Sequence, residues 1–91
     1  MGVTVSRTVQ MCNKRGLHAR ASAKFVTLAA SLPVAIEVEK DGSKVCGTSI
    51  MGLMMLGAAM GDTVTISAEG EGAEEAVAAL AELVEGRFGE D

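Results

Sequence analysis

The chain contains one histidine, His18, in the run Gly16-Leu17-His18-Ala19-Arg20, just ahead of residues with helical spacing. That places His18 where a helix N-cap stands. A helix amino terminus presents unpaired N–H groups and a partial positive charge, and such ends bind phosphate. The amides of Ala19, Arg20 and Ala21 are expected to face the ring. Arg20 adds a planar fork of donors suited to phosphate oxygens, and Lys24, about one turn further on, adds weaker attraction. A neutral imidazole nitrogen can attack phosphorus, and positive charge around the ring disfavours the imidazolium form. The chemistry indicated is reversible capture of a phosphoryl group. Taken alone, the same residues also fit a plain helix cap or a surface histidine. Other chemistries find less support. One His with two distant Cys offers no metal-ligand spacing. Ser22 is not placed as a hydrolase nucleophile, and no orienting Asp is evident.

The loop needs a scaffold, and the apolar pattern supplies one. Val3, Val5, Val9 and Met11 alternate with Thr4, Ser6, Thr8 and Gln10, which predicts a strand whose apolar face Arg7 interrupts. From Ala19 the period changes: Ala21, Phe25, Leu28, Ala29 and Leu32 fall at helical spacing until Pro33, whose ring and missing N–H do not suit a helix interior. Val34, Ile36 and Val38 predict a second strand, Asp41-Gly42 a tight turn, and residues 43–47 the returning strand of a hairpin. Ser49 is a natural N-cap for a short apolar helix carrying Ile50, Met51, Leu53, Met54 and Leu56, with Gly57 as its stop. Residues 62–68 alternate again, and Gly70-Glu71-Gly72 turns the chain. Ala73, Ala76, Val77, Leu80, Leu83 and Val84 then mark a final amphipathic helix that frays near Gly86. The order is β-α-β-β-α-β-α. Because each longer strand has one polar face, an α+β domain is expected: a four-stranded antiparallel sheet with three helices on one face and water on the other.

Composition narrows the partners. The 91 residues make one domain, residues 1–91, and 48% of them are hydrophobic, enough for a core built without Trp or Tyr. The formal net charge is −4, yet Lys14, Arg15 and Arg20 gather around His18 while the acids concentrate late, among them Glu69, Glu71, Glu74, Glu75, Glu82, Glu85, Glu90 and Asp91. An acidic chain without stacking aromatics is a poor nucleic-acid binder. The local basic patch fits an anionic ligand or an acidic protein partner. Cys12 and Cys46 form no CxxC pair and are expected as reduced thiols rather than a disulfide. No apolar stretch approaches a membrane span and no secretory leader is evident, so a soluble, cytoplasmic protein is expected. The start Met1-Gly2-Val3-Thr4-Val5-Ser6 fits a loose N-myristoylation pattern, but the favoured reading is the alternating strand, which buries these residues.

Two segments carry a family resemblance. Gly16-Leu17-His18-Ala19-Arg20 with Ala21-Ser22-Ala23-Lys24-Phe25 resembles the active-site segment of the HPr family, histidine phosphocarriers of the bacterial phosphotransferase system. Thr48-Ser49-Ile50-Met51-Gly52-Leu53-Met54-Met55-Leu56-Gly57 resembles that family's regulatory-serine helix, and Val64-Thr65-Ile66-Ser67-Ala68-Glu69-Gly70 its fourth strand. The resemblance covers essentially the whole chain and implies the family's open-faced β-sandwich. It also implies that His18 accepts phosphate on Nδ1 from phosphorylated enzyme I, itself charged from phosphoenolpyruvate. The group then passes to an enzyme IIA-type acceptor, with Arg20 screening the phosphoryl charge. The implied protein is a monomeric carrier rather than a turnover enzyme, and it needs no cofactor or metal.

By the same resemblance, Ser49 is a target of HPr kinase/phosphorylase, a role compatible with its capping, because phosphate is favoured at a helix start. Ile50, Met51 and Met54, with Lys24, then line the docking surface beside His18. Methionine suits a surface that meets several partners. Lys14-Arg15-Gly16 and Gly52-Leu53-Met54-Met55 lean toward the nitrogen-related or regulatory branch rather than sugar uptake. The chain departs from the family at Ala21, where proline is usual, and at Arg15, where a small polar residue is common. Alanine is a good helix former, so the site is expected to survive the first change. Two rivals are a regulatory homologue that is not phosphorylated on histidine and works through the methionine patch, and a small ligand-binding regulatory domain.

Overall fold

The computed structural model describes residues 3–90. Met1 and Gly2, on which the N-myristoylation pattern rests, lie outside the described residues, as does Asp91. The elements follow the expected order: β1 (Thr4–Gln10), α1 (Ala19–Ala30), β2 (Ile36–Lys40), β3 (Ser43–Cys46), α2 (Ile50–Met55), β4 (Thr63–Glu69) and α3 (Ala73–Glu85), then a single 3-10 turn, Arg87–Gly89. The four strands form one antiparallel sheet in the order β1-β4-β2-β3. None of the described helices is long and apolar enough to cross a membrane.

Strand register explains the two faces of the sheet. Val9 pairs with Val64, Ala68 with both Val5 and Ile36, and Ile66 with Val38, which sets the apolar side chains in rows under the helices. Thr8 and Thr65 pair on the polar face, where their hydroxyls meet at 3.0 Å. Arg7, the residue that breaks the apolar pattern of β1, lies on an edge strand and reaches Glu85 at the end of α3 at 3.5 Å. The edge lets a long cationic side chain leave the core face for solvent. Phe25 of α1, Leu53 of α2, Leu80 and Val84 of α3 and Met11 fill the space between helices and sheet.

The turns behave as the chemistry of their residues requires. Asp41 and Gly42 both adopt positive φ, 51° and 84°, the primed hairpin turn read from the sequence. Ser49 caps α2, accepting from the Gly52 N–H at 3.0 Å, and Gly57 ends that helix at φ 65°. Three expectations need correction. Val3 is 75% exposed rather than buried, because β1 begins only at Thr4. Helix α1 ends at Ala30 rather than at Pro33, because Ser31 closes it with its amide and hydroxyl both on the Leu28 carbonyl, at 3.0 and 2.6 Å. Residues 87–90 do not fray: they fold back and bury Phe88, which is 1% exposed. Cys12 and Cys46 are both free thiols, as expected.

Candidate functional site

The His18 loop is built from its backbone outward. Gly16 has φ 62° and packs so closely on the neighbouring loop that a Cβ there would lie 2.0 Å from the Ala58 carbonyl oxygen. Only glycine fits. The next amide, Leu17, donates to that same oxygen at 2.9 Å, which ties the loop to the segment following α2. His18 then adopts extended backbone, φ −74° and ψ 179°, and caps α1, its carbonyl receiving the Ser22 amide at 2.9 Å. Ser22 is buried and donates its hydroxyl to the Leu17 carbonyl at 3.2 Å, a structural use that leaves it no nucleophilic role. Ala21 is also buried and sits in the first turn of the helix without disturbing it.

The ring is held at both nitrogens. Nδ1 accepts the Arg20 amide hydrogen at 3.2 Å. Of the three amides expected at the ring, Arg20's reaches it; those of Ala19 and Ala21 form no bond to His18. Nε2 lies 2.8 Å from Oε2 of Glu90. A nitrogen that accepts from an amide carries no proton, so the neutral ring has its proton on Nε2 and donates it to the carboxylate. Nδ1 is then the unprotonated nitrogen, its lone pair at the helix start accepting the Arg20 amide, and an unprotonated nitrogen is what nucleophilic attack on phosphorus requires.

Around the ring lies an open cleft of about 380 Å³ lined by Lys14, Arg15, His18, Arg20 and Glu90. The basic residues clustered in the sequence do converge here, but the purely cationic surroundings expected for the ring are incomplete. Glu90 brings a carboxylate into contact, and His18 and Asn13 as hydrogen-bond donors hold its carboxyl below the usual carboxylate range. Lys24 does not face the cleft; its Nζ donates to the Phe88 carbonyl at 2.7 Å. Glu90 was not singled out from the sequence. The available signal was Phe88, an isolated aromatic beyond the last helical residues, which had to bury itself and carry Glu90 inward.

The second candidate region is α2. Leu53 and Leu56 are buried, whereas Ile50, Met51, Met54 and Met55 are exposed, Met51 and Met55 at 71% and 79%. Met60 in the following loop is exposed as well. The segment between α2 and Met60 is tied to the His18 loop by the backbone bond from Leu17 to Ala58. Ahead of α2 in the chain, the Cys46 thiol is lowered from its ordinary value chiefly by the Thr48 hydroxyl at 3.1 Å.

Known proteins resemble this chain in sequence and in fold. The family model for the PTS HPr component phosphorylation site matches residues 5–86. The phosphocarrier protein HPr of Cupriavidus necator is 44% identical over 86 residues, covering 94% of this chain and 97% of the relative. The phosphocarrier protein NPr of Shewanella violacea is 38% identical over 86 residues, covering 94% of each. Among solved structures, HPr-C-His from Thermoanaerobacter tengcongensis superposes with a TM-score of 0.90 at 48% identity over 96% of this chain and 98% of that one. An HPr dimer from the same organism gives 0.75 at 50% identity over 90% and 94%.

Proposed function

The chain belongs to the HPr family of phosphotransferase-system phosphocarriers, and from that premise we propose that His18 is the phosphoryl-carrying residue. The observation that supports this most directly is the placement of an unprotonated Nδ1 at the start of α1, inside a cleft lined by Lys14, Arg15 and Arg20. Enzyme I, charged from phosphoenolpyruvate, delivers the group, and an enzyme IIA-type protein receives it. When phosphate is on Nδ1, its oxygens take over the helix-start amides of Ala19, Arg20 and Ala21, and the Arg20 guanidinium swings over them from its exposed position. The exposed Ile50, Met51 and Met54 form the docking face for both partners, one apolar surface that adapts to two shapes, while Lys24, expected to join them, is tied to the Phe88 carbonyl.

Ser49 is the proposed regulatory site, phosphorylated by a kinase of the HPr kinase/phosphorylase type. Its side chain already caps α2, so a phosphate there meets the helix start favourably while adding roughly two negative charges to the rim of the docking face. The carrier acts in the cytoplasm as a monomer, because donor and acceptor must reach His18 in turn. The dimeric relative marks the alternative, which light scattering at working concentration distinguishes. The decisive experiment is incubation with enzyme I and phosphoenolpyruvate: an acid-labile phosphate is expected on the protein and none on His18→Ala. Phosphate uptake by His18→Ala would overturn the assignment.

A further inference from the structure

We propose that Glu90 is a positioning residue for phosphoryl capture: through Nε2–H it holds His18 in the tautomer that leaves Nδ1 free to attack, and it balances the positive charge the ring acquires. This rests on the carrier reading of His18 and extends it to a residue 72 positions away in the chain.

The first observation is the inequality of the two ring contacts. The Arg20 amide meets Nδ1 at 3.2 Å, the long end for such a bond, whereas Nε2 and the Glu90 carboxylate meet at 2.8 Å, a charge-assisted distance. The carboxylate is therefore the stronger determinant of where the proton sits. Among the described charged residues lining the cleft, Lys14, Arg15, Arg20 and Glu90, Glu90 is the one acid, and Lys24 is committed to the Phe88 carbonyl.

The second observation is how Glu90 is held. Its other oxygen accepts from Asn13 Nδ2 at 3.2 Å, and that same amide nitrogen donates to the Gly16 carbonyl at 2.8 Å. Asn13 is buried, and its Oδ1 has no partner among the described residues. Turning the amide over would set an oxygen against two acceptors, so the orphaned Oδ1 is the consequence of aiming both hydrogens at Gly16 and Glu90. The third observation is backbone strain. Arg87 and Phe88 both adopt left-handed conformation, φ 59° and 54°, although neither is glycine. Burial of the Phe88 ring and the Lys24 bond to its carbonyl hold them there. Strain of this kind persists where surrounding contacts over-determine it, and here its result is to bring Glu90 onto the ring.

The step balances without a proton leaving the ring. The Nδ1 lone pair forms the nitrogen–phosphorus bond as the donor's phosphorus–nitrogen bond breaks and its electron pair returns to the donor. Nε2 keeps its proton, so the ring becomes cationic, and the Glu90 carboxylate is the counter-ion. Onward transfer reverses each change. The logic parallels that of a carboxylate that orients a histidine and stabilises its charged form in a hydrolase triad.

The test combines ring spectroscopy with transfer kinetics on the full chain. In the unsubstituted protein, 15N spectra of His18 are expected to show one neutral tautomer with the proton on Nε2. Glu90→Ala is expected to mix the tautomers and to slow phosphoryl acceptance from enzyme I about tenfold, the scale of a lost hydrogen bond to a charged group. Glu90→Gln, which keeps an acceptor oxygen, is expected to restore the single tautomer while remaining slower than the parent. An unchanged ring spectrum in Glu90→Ala, or acceptance within about twofold of the parent, would overturn the proposal. Failure of the carrier reading looks different: the unsubstituted protein would then take up no phosphate on nitrogen.

Discussion

Two helix starts in this protein use the same device for different ends. At α1 the cap is His18, whose Nδ1 accepts from the amide two residues on at 3.2 Å; at α2 the cap is Ser49, whose Oγ accepts from the amide three residues on at 3.0 Å. Both satisfy an orphan amide. The difference lies in what else touches the cap. His18 is gripped at its second nitrogen by Glu90 inside a cleft lined with basic residues, and its loop is locked by Gly16 against Ala58. Ser49 has the Gly52 amide as its side-chain partner and is flanked by exposed methionines. A cap becomes a reactive centre when the rest of the fold controls its free lone pair; a cap whose surroundings are an open apolar face is placed to govern docking.

That contrast can be pulled apart by substitution. The largest effect is expected from His18→Ser, which keeps a capping acceptor at α1 but removes the nucleophile. Phosphoryl acceptance should vanish while stability changes by less than about 1 kcal/mol, whereas Ser49→Ala should retain acceptance; labelling from phosphoenolpyruvate beside denaturant titration reads both. Next comes Phe88→Ala, which removes the anchor that carries Glu90 to His18 and leaves α2 untouched. Loss of a large buried aromatic costs about 3–5 kcal/mol. Urea unfolding should report that loss, and the His18 cap alone should show altered ring resonances. Ser49→Asp tests the docking side: several-fold weaker association with enzyme I is expected with His18 still chemically competent. Equal transfer rates at subsaturating carrier would break the contrast.

The smallest expected effect is on the acid side of the stability profile. The contact with His18, aided by Asn13, holds the Glu90 carboxyl below its ordinary range. The stability it contributes is therefore fully present above the unfolded-chain value of about 4.3 and is lost as pH falls through the lower folded-state value. Thermal melts between neutral pH and that acid window should show a slope that Glu90→Gln lacks. Among the described residues no carboxylate bonds to the Ser49 cap, so Ser49→Ala should leave the slope in place.

Much of this was legible along the chain because its causes are local. Alternation in β1, β2 and β4, the Asp41-Gly42 turn and both caps depend on residues a few positions apart. The exposed surface of α2, carrying Ile50, Met51, Met54 and Met55, was expected at the first three of these positions from the family resemblance. What the spacing could not show is how long-range partners are used. Lys24 looked like a second cation for phosphate and instead fastens the carboxy-terminal turn. Arg7 looked like an interruption of β1 and instead spans the sheet edge to Glu85.

The sequence by itself determined the order of elements, the identity of the caps and the convergence of basic residues on His18, since periodicity and capping act within a turn or two of chain. The Arg20 amide, two residues on, already favours an unprotonated Nδ1, but only the tertiary structure supplied the carboxylate that holds the proton on Nε2. That contact depends on Glu90 and Asn13, 77 positions apart, meeting beside the ring, and on Phe88 finding the core beyond α3. Their meeting is enforced by burial and strain that no local pattern encodes.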